Sequence, residues 1–153
     1  MDISAWGCPG GTFIGQANHG GGSCQISLSY DSGVNFHVIK SIIGGCSAVD
    51  AGQKDWTTKF KIPATARPGN AILSWSWINY SGGPQEFYQN YALVKIDNPS
   101  AAPGEFETKH PKIYLANFPS QQCIVNEADS TQWVNYPEPG PVVDYGINKT
   151  DAG

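Results

Sequence analysis

The chain has 153 residues, 40% of them hydrophobic and only 14% charged, with a net charge of −4. This length suits one domain with a substantial core, and the mild acidity excludes the basic footprint needed for nucleic acid or an anionic membrane. With 18 Gly and 11 Pro, the composition predicts many turns and few long helices. No stretch approaches the roughly 20 apolar residues of a membrane span.

Met1 is followed at once by Asp2 and a Gly-rich segment, with no signal peptide in view. The first clear element is Cys24-Gln-Ile-Ser-Leu-Ser-Tyr30. Cys24, Ile26, Leu28 and Tyr30 alternate with Gln25, Ser27 and Ser29, the pattern of a half-buried strand with its polar side to water. Asp31-Ser32-Gly33 supplies a turn, and the β-rich run Phe36 to Ile43 completes a hairpin that Gly44-Gly45-Cys46 ends. A third strand is expected from Trp56 to Ile62, closed by Pro63. Arg67-Pro68-Gly69-Asn70 then turns into Ala71 to Ile78, where Leu73, Trp75 and Trp77 alternate with Ser74 and Ser76 and face the core. Tyr91 to Ile96 and a short run at Ile113 to Ala116 complete the set. Short strands separated by Gly/Pro turns predict an all-β fold, an immunoglobulin- or fibronectin-like β-sandwich with long loops. The chain is read as one domain over 1–153, with its core at about 12–118 and an extended C-terminal arm at about 119–153 packed along the sandwich. Tyr136-Pro-Glu-Pro-Gly-Pro141 within the arm cannot form a central strand.

Four cysteines admit three pairings, none at the C-x-x-C spacing of a structural zinc site. Cys24 opens the first strand and Cys46 follows its hairpin partner, so these two are expected to pair. Cys8 with Cys123 follows by elimination. Asn79-Tyr80-Ser81 and Asn148-Lys149-Thr150 are glycosylation sequons. An even cysteine count with two sequons points to an oxidising, secretory compartment and an extracellular protein.

Enzyme motifs are sparse: G-x-S-x-G, H-E-x-x-H and the P-loop are all missing. The carboxylates, among them Glu86, Glu105, Glu107, Glu127 and Glu138, form no evident acid/base pair. The most informative segment is His19-Gly20-Gly21-Gly22-Ser23-Cys24-Gln25, which sets an accessible histidine among small residues just ahead of a strand. A histidine on a loop is most often an ordinary exposed residue; one placed this way can also ligate a metal or touch a substrate.

His19 to Gln25 with Ile26-Ser-Leu-Ser-Tyr-Asp31, and Val38-Ile-Lys-Ser-Ile-Ile-Gly-Gly-Cys46, together resemble the fungal chitin-active lytic polysaccharide monooxygenases of auxiliary activity family eleven. The resemblance continues through Trp75-Ser-Trp-Ile-Asn79 and Glu86-Phe-Tyr-Gln-Asn90 to Tyr136-Pro-Glu-Pro-Gly140, nearly the whole chain. It implies a copper site. In that family an N-terminal histidine gives its amine and imidazole, and a second histidine completes a three-nitrogen brace suited to copper. By resemblance His19 is the second histidine, Tyr88 the tyrosine on the copper's axial side and Glu86 a nearby carboxylate. The family's first histidine, some forty residues upstream of the glycine motif, has no counterpart here; Met1 offers an amine without an imidazole, and His37 and His110 are poor substitutes. Copper is therefore expected to bind weakly. Tyr91 stands where the family usually carries a cysteine. The chain is either a shortened form of a longer secreted enzyme or a descendant that has given up the brace, and the tyrosine favours the descendant.

The expected function is binding of an insoluble polysaccharide such as chitin by a monomer, without oxidative activity. The alternatives are a copper monooxygenase whose mature form begins at an upstream histidine, and a structural or interaction protein that keeps only the fold. Trp6, Tyr80, Phe87 and Trp133 lie in loop-like stretches and are the candidates for stacking on sugar rings.

Overall fold

A computed structural model describes residues 2–4, 19–46, 56–81, 86–99, 101–117 and 133–146. In chain order the elements are β1 (Asp2–Ser4), β2 (Gly22–Ser29), β3 (His37–Ile43), β4 (Thr57–Lys59), β5 (Gly69–Asn79), β6 (Tyr88–Ile96), α1 (Glu105–Lys109) and β7 (Val143–Tyr145). The main sheet has the order β6-β5-β2-β3-β7, and β1 with β4 forms a second, two-stranded sheet. The fold is the all-β sandwich that the turn spacing predicts.

The β2–β3 hairpin forms as expected, antiparallel, with a bulge between Ile26 and Ser27. Asp31 organises its turn. Asp31 carboxylate oxygens accept from the Asn35 backbone and side chain and from the Ser29 hydroxyl, and these bonds hold its carboxyl down at about 2. Ser32 and Gly33 take the positive φ values the reversal requires, 61° and 87°. The Cys24–Cys46 disulfide is formed, with Cα atoms 6.0 Å apart. A loop of this size contributes about 3 kcal/mol in the chain-entropy account. Cys8 and Cys123 lie outside the described residues.

One face of the sheet carries the main core. Cys24, Ile26, Leu28, Ile42, Leu73, Trp77 and Ile96 pack there against Trp56, Ala66 and Phe106 from the covering layer, with Trp75 partly buried beside them. Both strand tryptophans thus turn inward as their alternation with serine predicts. Lys40 crosses between the layers, its ammonium bound to Thr58 Oγ1, the Lys59 carbonyl and the Asp144 carboxylate.

The opposite face departs from expectation. Gln25, Ser27 and Ser29 are buried rather than turned to water, and every residue of β2 is buried. Segments 111–117 and 133–146 hydrogen-bond to this face. The Tyr114 N–H donates to Gln25 Oε1, and Ser23 Oγ and Ser41 Oγ donate to the carbonyls of Val134 and Pro139. A second apolar cluster of Ile43, Ile78, Ala116 and Tyr136 forms there. Of the three residues read as solvent-facing, Gln25 bonds the covering chain, Ser29 Oγ bonds Asp31 in the turn, and Ser27 Oγ is buried with no hydrogen-bond partner among the described residues.

Three further differences concern strands. Ile113 to Ala116 forms none; only Lys112 bridges His37, and Tyr114 gives its N–H to a side chain instead of a strand. Of Trp56 to Ile62 only Thr57–Lys59 pairs, with β1 and not with the main sheet. Beyond the proline-rich stretch, β7 adds in parallel to β3 at the sheet edge. A three-residue strand between Pro141 and Gly146 carries too little alternation to be read in advance.

Candidate functional site

The site stands at the end of the sheet where β2 begins and β5 ends. Four residues in a row, His19, Gly20, Gly21 and Gly22, take positive φ values of 45°, 69°, 89° and 152°. Backbone of that kind is cheap for glycine and costly for other residues. This is what the glycine run does: it coils the chain back so that the His19 ring lies over the sheet end. The coil is pinned to the end of β5, with the Ser81 N–H and hydroxyl both donating to the His19 carbonyl and the Tyr80 N–H to that of Gly21. A Cβ on Gly22 would sit 2.5 Å from Trp77 Nε1 and 2.2 Å from the Ile78 carbonyl oxygen, so the indole occupies the space glycine leaves.

Trp77 lies directly opposite Tyr88 in the β5–β6 register, their rings stacked with centroids 4.9 Å apart. The His19 ring completes the group, 5.7 Å from Trp77 and 6.0 Å from Tyr88, with its Nε2 3.4 Å from the Tyr88 hydroxyl. Burial, and a hydrogen bond to the nearby Glu86 carboxylate, push the Tyr88 phenol up to about 12. It therefore stays protonated at any physiological pH. Glu86 is fixed in turn: Asn79 Nδ2 donates to its Oε2 at 2.9 Å and Asn117 Nδ2 to its backbone carbonyl at 3.1 Å. His19, Glu86 and Tyr88 are thus assembled, although 69 positions separate the first from the last.

Asn79 was open to reading as a sequon. Its side-chain nitrogen donates to the Ser81 carbonyl as well as to Glu86, and the residue is 8% exposed. Both contacts tie the Asn79 side chain into the site. Nothing in the sequence marks Asn79 or Asn117 as partners of Glu86, since each lies on a different stretch of chain. Asn148, the other sequon, lies outside the described residues.

Of the sugar-contact candidates, Tyr80 and Trp133 are brought together, their rings stacked with centroids 4.3 Å apart and both half-buried. This pair adjoins the His19 coil: a Cβ on Gly20 would lie 3.1 Å from the Tyr80 ring. Phe87 instead packs against the second apolar cluster. Trp6 lies outside the described residues.

Copper is the metal the resemblance implies. His19 offers one imidazole nitrogen and Tyr88 a protonated phenol, a weak ligand. Among the described residues no group of three His, Cys, Asp or Glu side chains could hold a metal ion. His37 and His110 are occupied elsewhere: His37 Nδ1 bonds the His110 carbonyl, and the His110 ring bonds the Val38 carbonyl and Thr65. Moreover, His37 pairs with Leu28, at the far end of β2 from His19. By themselves the described residues do not make a three-nitrogen brace.

No protein-family model matches the chain. Curated proteins do. An AA11 family lytic polysaccharide monooxygenase A of Aspergillus fumigatus is 43% identical over 69% of this chain and 45% of its own length. Monooxygenase B of that species is 38% identical over 92% of this chain and 38% of its own length. An AA11 family enzyme of Aspergillus oryzae is 35% identical over 92% of this chain and 37% of its own length. The chain thus spans less than half the length of the curated relatives it matches, and by sequence it is a relative of the AA11 family lytic polysaccharide monooxygenases.

Proposed function

We propose that this chain is a secreted polysaccharide-binding protein of the lytic polysaccharide monooxygenase-like type, and that it takes chitin or a related cell-wall glycan on the surface formed by His19, Tyr80 and Trp133. The observation that carries this reading is the stacked Tyr80–Trp133 pair beside the His19 coil. Partly exposed aromatic rings offer an apolar face to the C–H side of a sugar ring, and their polar tips bond its hydroxyls. The His19 and Tyr88 side chains add polar groups at the border of that surface. Phe87 is left out of it, because it helps to fill the apolar cluster under the arm.

The test is retention on insoluble chitin, with cellulose as the comparison solid and a copper chelator present. The intact protein is expected to bind chitin without copper. Tyr80→Ala and Trp133→Ala are each expected to weaken binding by roughly tenfold, the value of one aromatic stacking contact. Absence of retention, or retention that neither substitution changes, rejects the reading.

A second reading, copper-dependent oxidative cleavage of chitin, is favoured by the approach of His19 Nε2 to the Tyr88 hydroxyl, by the Glu86 carboxylate beside that phenol and by the names of the curated relatives. It requires an imidazole and an amine from outside the described residues. Calorimetric copper titration of the native secreted protein decides it: tight binding that His19→Ala abolishes supports it, and weak binding indifferent to His19 rejects it.

A further inference from the structure

We propose that Asn79 is the positioning residue of this surface, a role that rests on its being the polysaccharide-binding one. The Asn79 amide locks the short stretch that carries Tyr80, and so keeps the Tyr80 ring stacked on Trp133 where a sugar can reach it.

Tyr80 is the first residue beyond β5, outside the sheet ladder, and it stands between two anchored neighbours. On one side, Asn79 lies directly opposite Gly22 in the β2–β5 register. On the other, the Ser81 N–H and hydroxyl both donate to the His19 carbonyl at 2.8 Å. The Tyr80 N–H donates to the Gly21 carbonyl at 2.9 Å. Asn79 Nδ2 then reaches over Tyr80 to the Ser81 carbonyl at 2.9 Å, and to Glu86 Oε2 at the same distance. A carbonyl can only accept, so it is the nitrogen of the amide, and not its oxygen, that faces Ser81.

The same amide closes a ring of contacts. Glu86 is hydrogen-bonded to the Tyr88 phenol, and the Tyr88 oxygen lies 3.4 Å from His19 Nε2. The His19 carbonyl leads back to Ser81. Asn79 is where the two halves of this ring meet, the Tyr80 half through Ser81 and the Tyr88 half through Glu86. It is itself buried, so it acts on a ligand through the rings it holds and not by touching it.

The experiment compares Asn79→Asp, Asn79→Ala and Tyr80→Ala with the wild type. Retention on insoluble chitin and NMR of protein labelled in its tyrosine rings are the two readouts, with circular dichroism as the check on folding. Stacking on an indole moves the Tyr80 ring protons upfield, and Tyr80→Ala identifies those signals by their loss. Asn79→Asp keeps the shape of the side chain but sets acceptors against the Ser81 carbonyl and the Glu86 carboxylate. It is expected to weaken retention by roughly tenfold, as much as Tyr80→Ala, and to return the Tyr80 signals to the positions of an unstacked ring. Asn79→Ala removes the donors without adding repulsion, so its effects should be smaller and in the same direction. A side chain that merely fills space gives the reverse order, with Asn79→Asp close to the wild type, and that result overturns the proposal. Tyr80 signals that neither substitution moves overturn it as well. If the aspartate variant does not fold, Asn79→Ala decides by the same two readouts. A wild type that chitin does not retain rejects the polysaccharide-binding reading, and the Tyr80 signals alone then decide whether Asn79 holds the ring.

Discussion

At the scale of single residues, Gly22 carries more of the site than its size suggests. It opens β2, ends the coil that carries His19 and leaves the space in which the Trp77 indole sits. Gly22→Ala would bring a methyl group to 2.2 Å from a paired backbone carbonyl, where neither strand can yield without breaking the β2–β5 ladder. It is expected to destabilise the fold by at least about 2 kcal/mol, the overpacking range, in urea unfolding. Gly20→Ala meets only the Tyr80 and Ser81 side chains, at 3.1 Å. Its cost should be smaller and mostly that of positive φ. The glycine run was legible in the sequence as a coil beside a histidine. What each glycine makes room for was not, because the Trp77 that fills the space stands 55 residues after Gly22.

Elements show a similar division. Period-two alternation reveals β2 and β5, because a strand buried on one side must alternate, while β3 shows only as a β-rich run after a turn. It does not say what lies over the other side. Gln25 looks the same in sequence whether water or a returning segment satisfies it, and here the Tyr114 N–H takes its side-chain oxygen. The short helix α1 was missed for a related reason. Its five residues bury only Phe106, too few for a helical period to appear. α1 is held at its end by His110, whose ring stacks on Phe106 and bonds both the Val38 carbonyl of β3 and Thr65. Burial lowers the affinity of this imidazole for a proton below the ordinary value of 6.5; the Val38 bond opposes that, and the nearby His37 and Lys109 charges reinforce it. The unfolded chain therefore binds the proton more readily than the native one. The His110 contribution to stability is complete above 6.5 and is lost as the pH falls through the lower, folded value. Urea midpoints of the wild type are expected to decline on acidification below 6.5 more steeply than those of His110→Gln, which has no proton to gain there. Parallel declines would assign the acid sensitivity to other groups.

For the molecule as a whole, the late segment 133–146 does two things at once. It seals the polar face of the main sheet, and it sets Trp133 against Tyr80 at the border of the His19 coil. Its two serine anchors separate these roles. Ser23 Oγ donates to the carbonyl of Val134, next to Trp133, and also accepts the Gly44 N–H. Ser41 Oγ donates to the Pro139 carbonyl further along. Removing either hydroxyl leaves a buried partner unsatisfied and is expected to cost about 1–2 kcal/mol in urea unfolding. Glycan binding should distinguish them. Ser23→Ala frees the backbone beside Trp133, so it is expected to weaken chitin retention as well as stability, approaching the effect of Trp133→Ala. Ser41→Ala is expected to lower stability while leaving retention close to wild type. Equal losses of retention in the two variants would mean that the arm acts as one rigid piece, and that the position of Trp133 depends on the whole polar face and not on the anchor beside it.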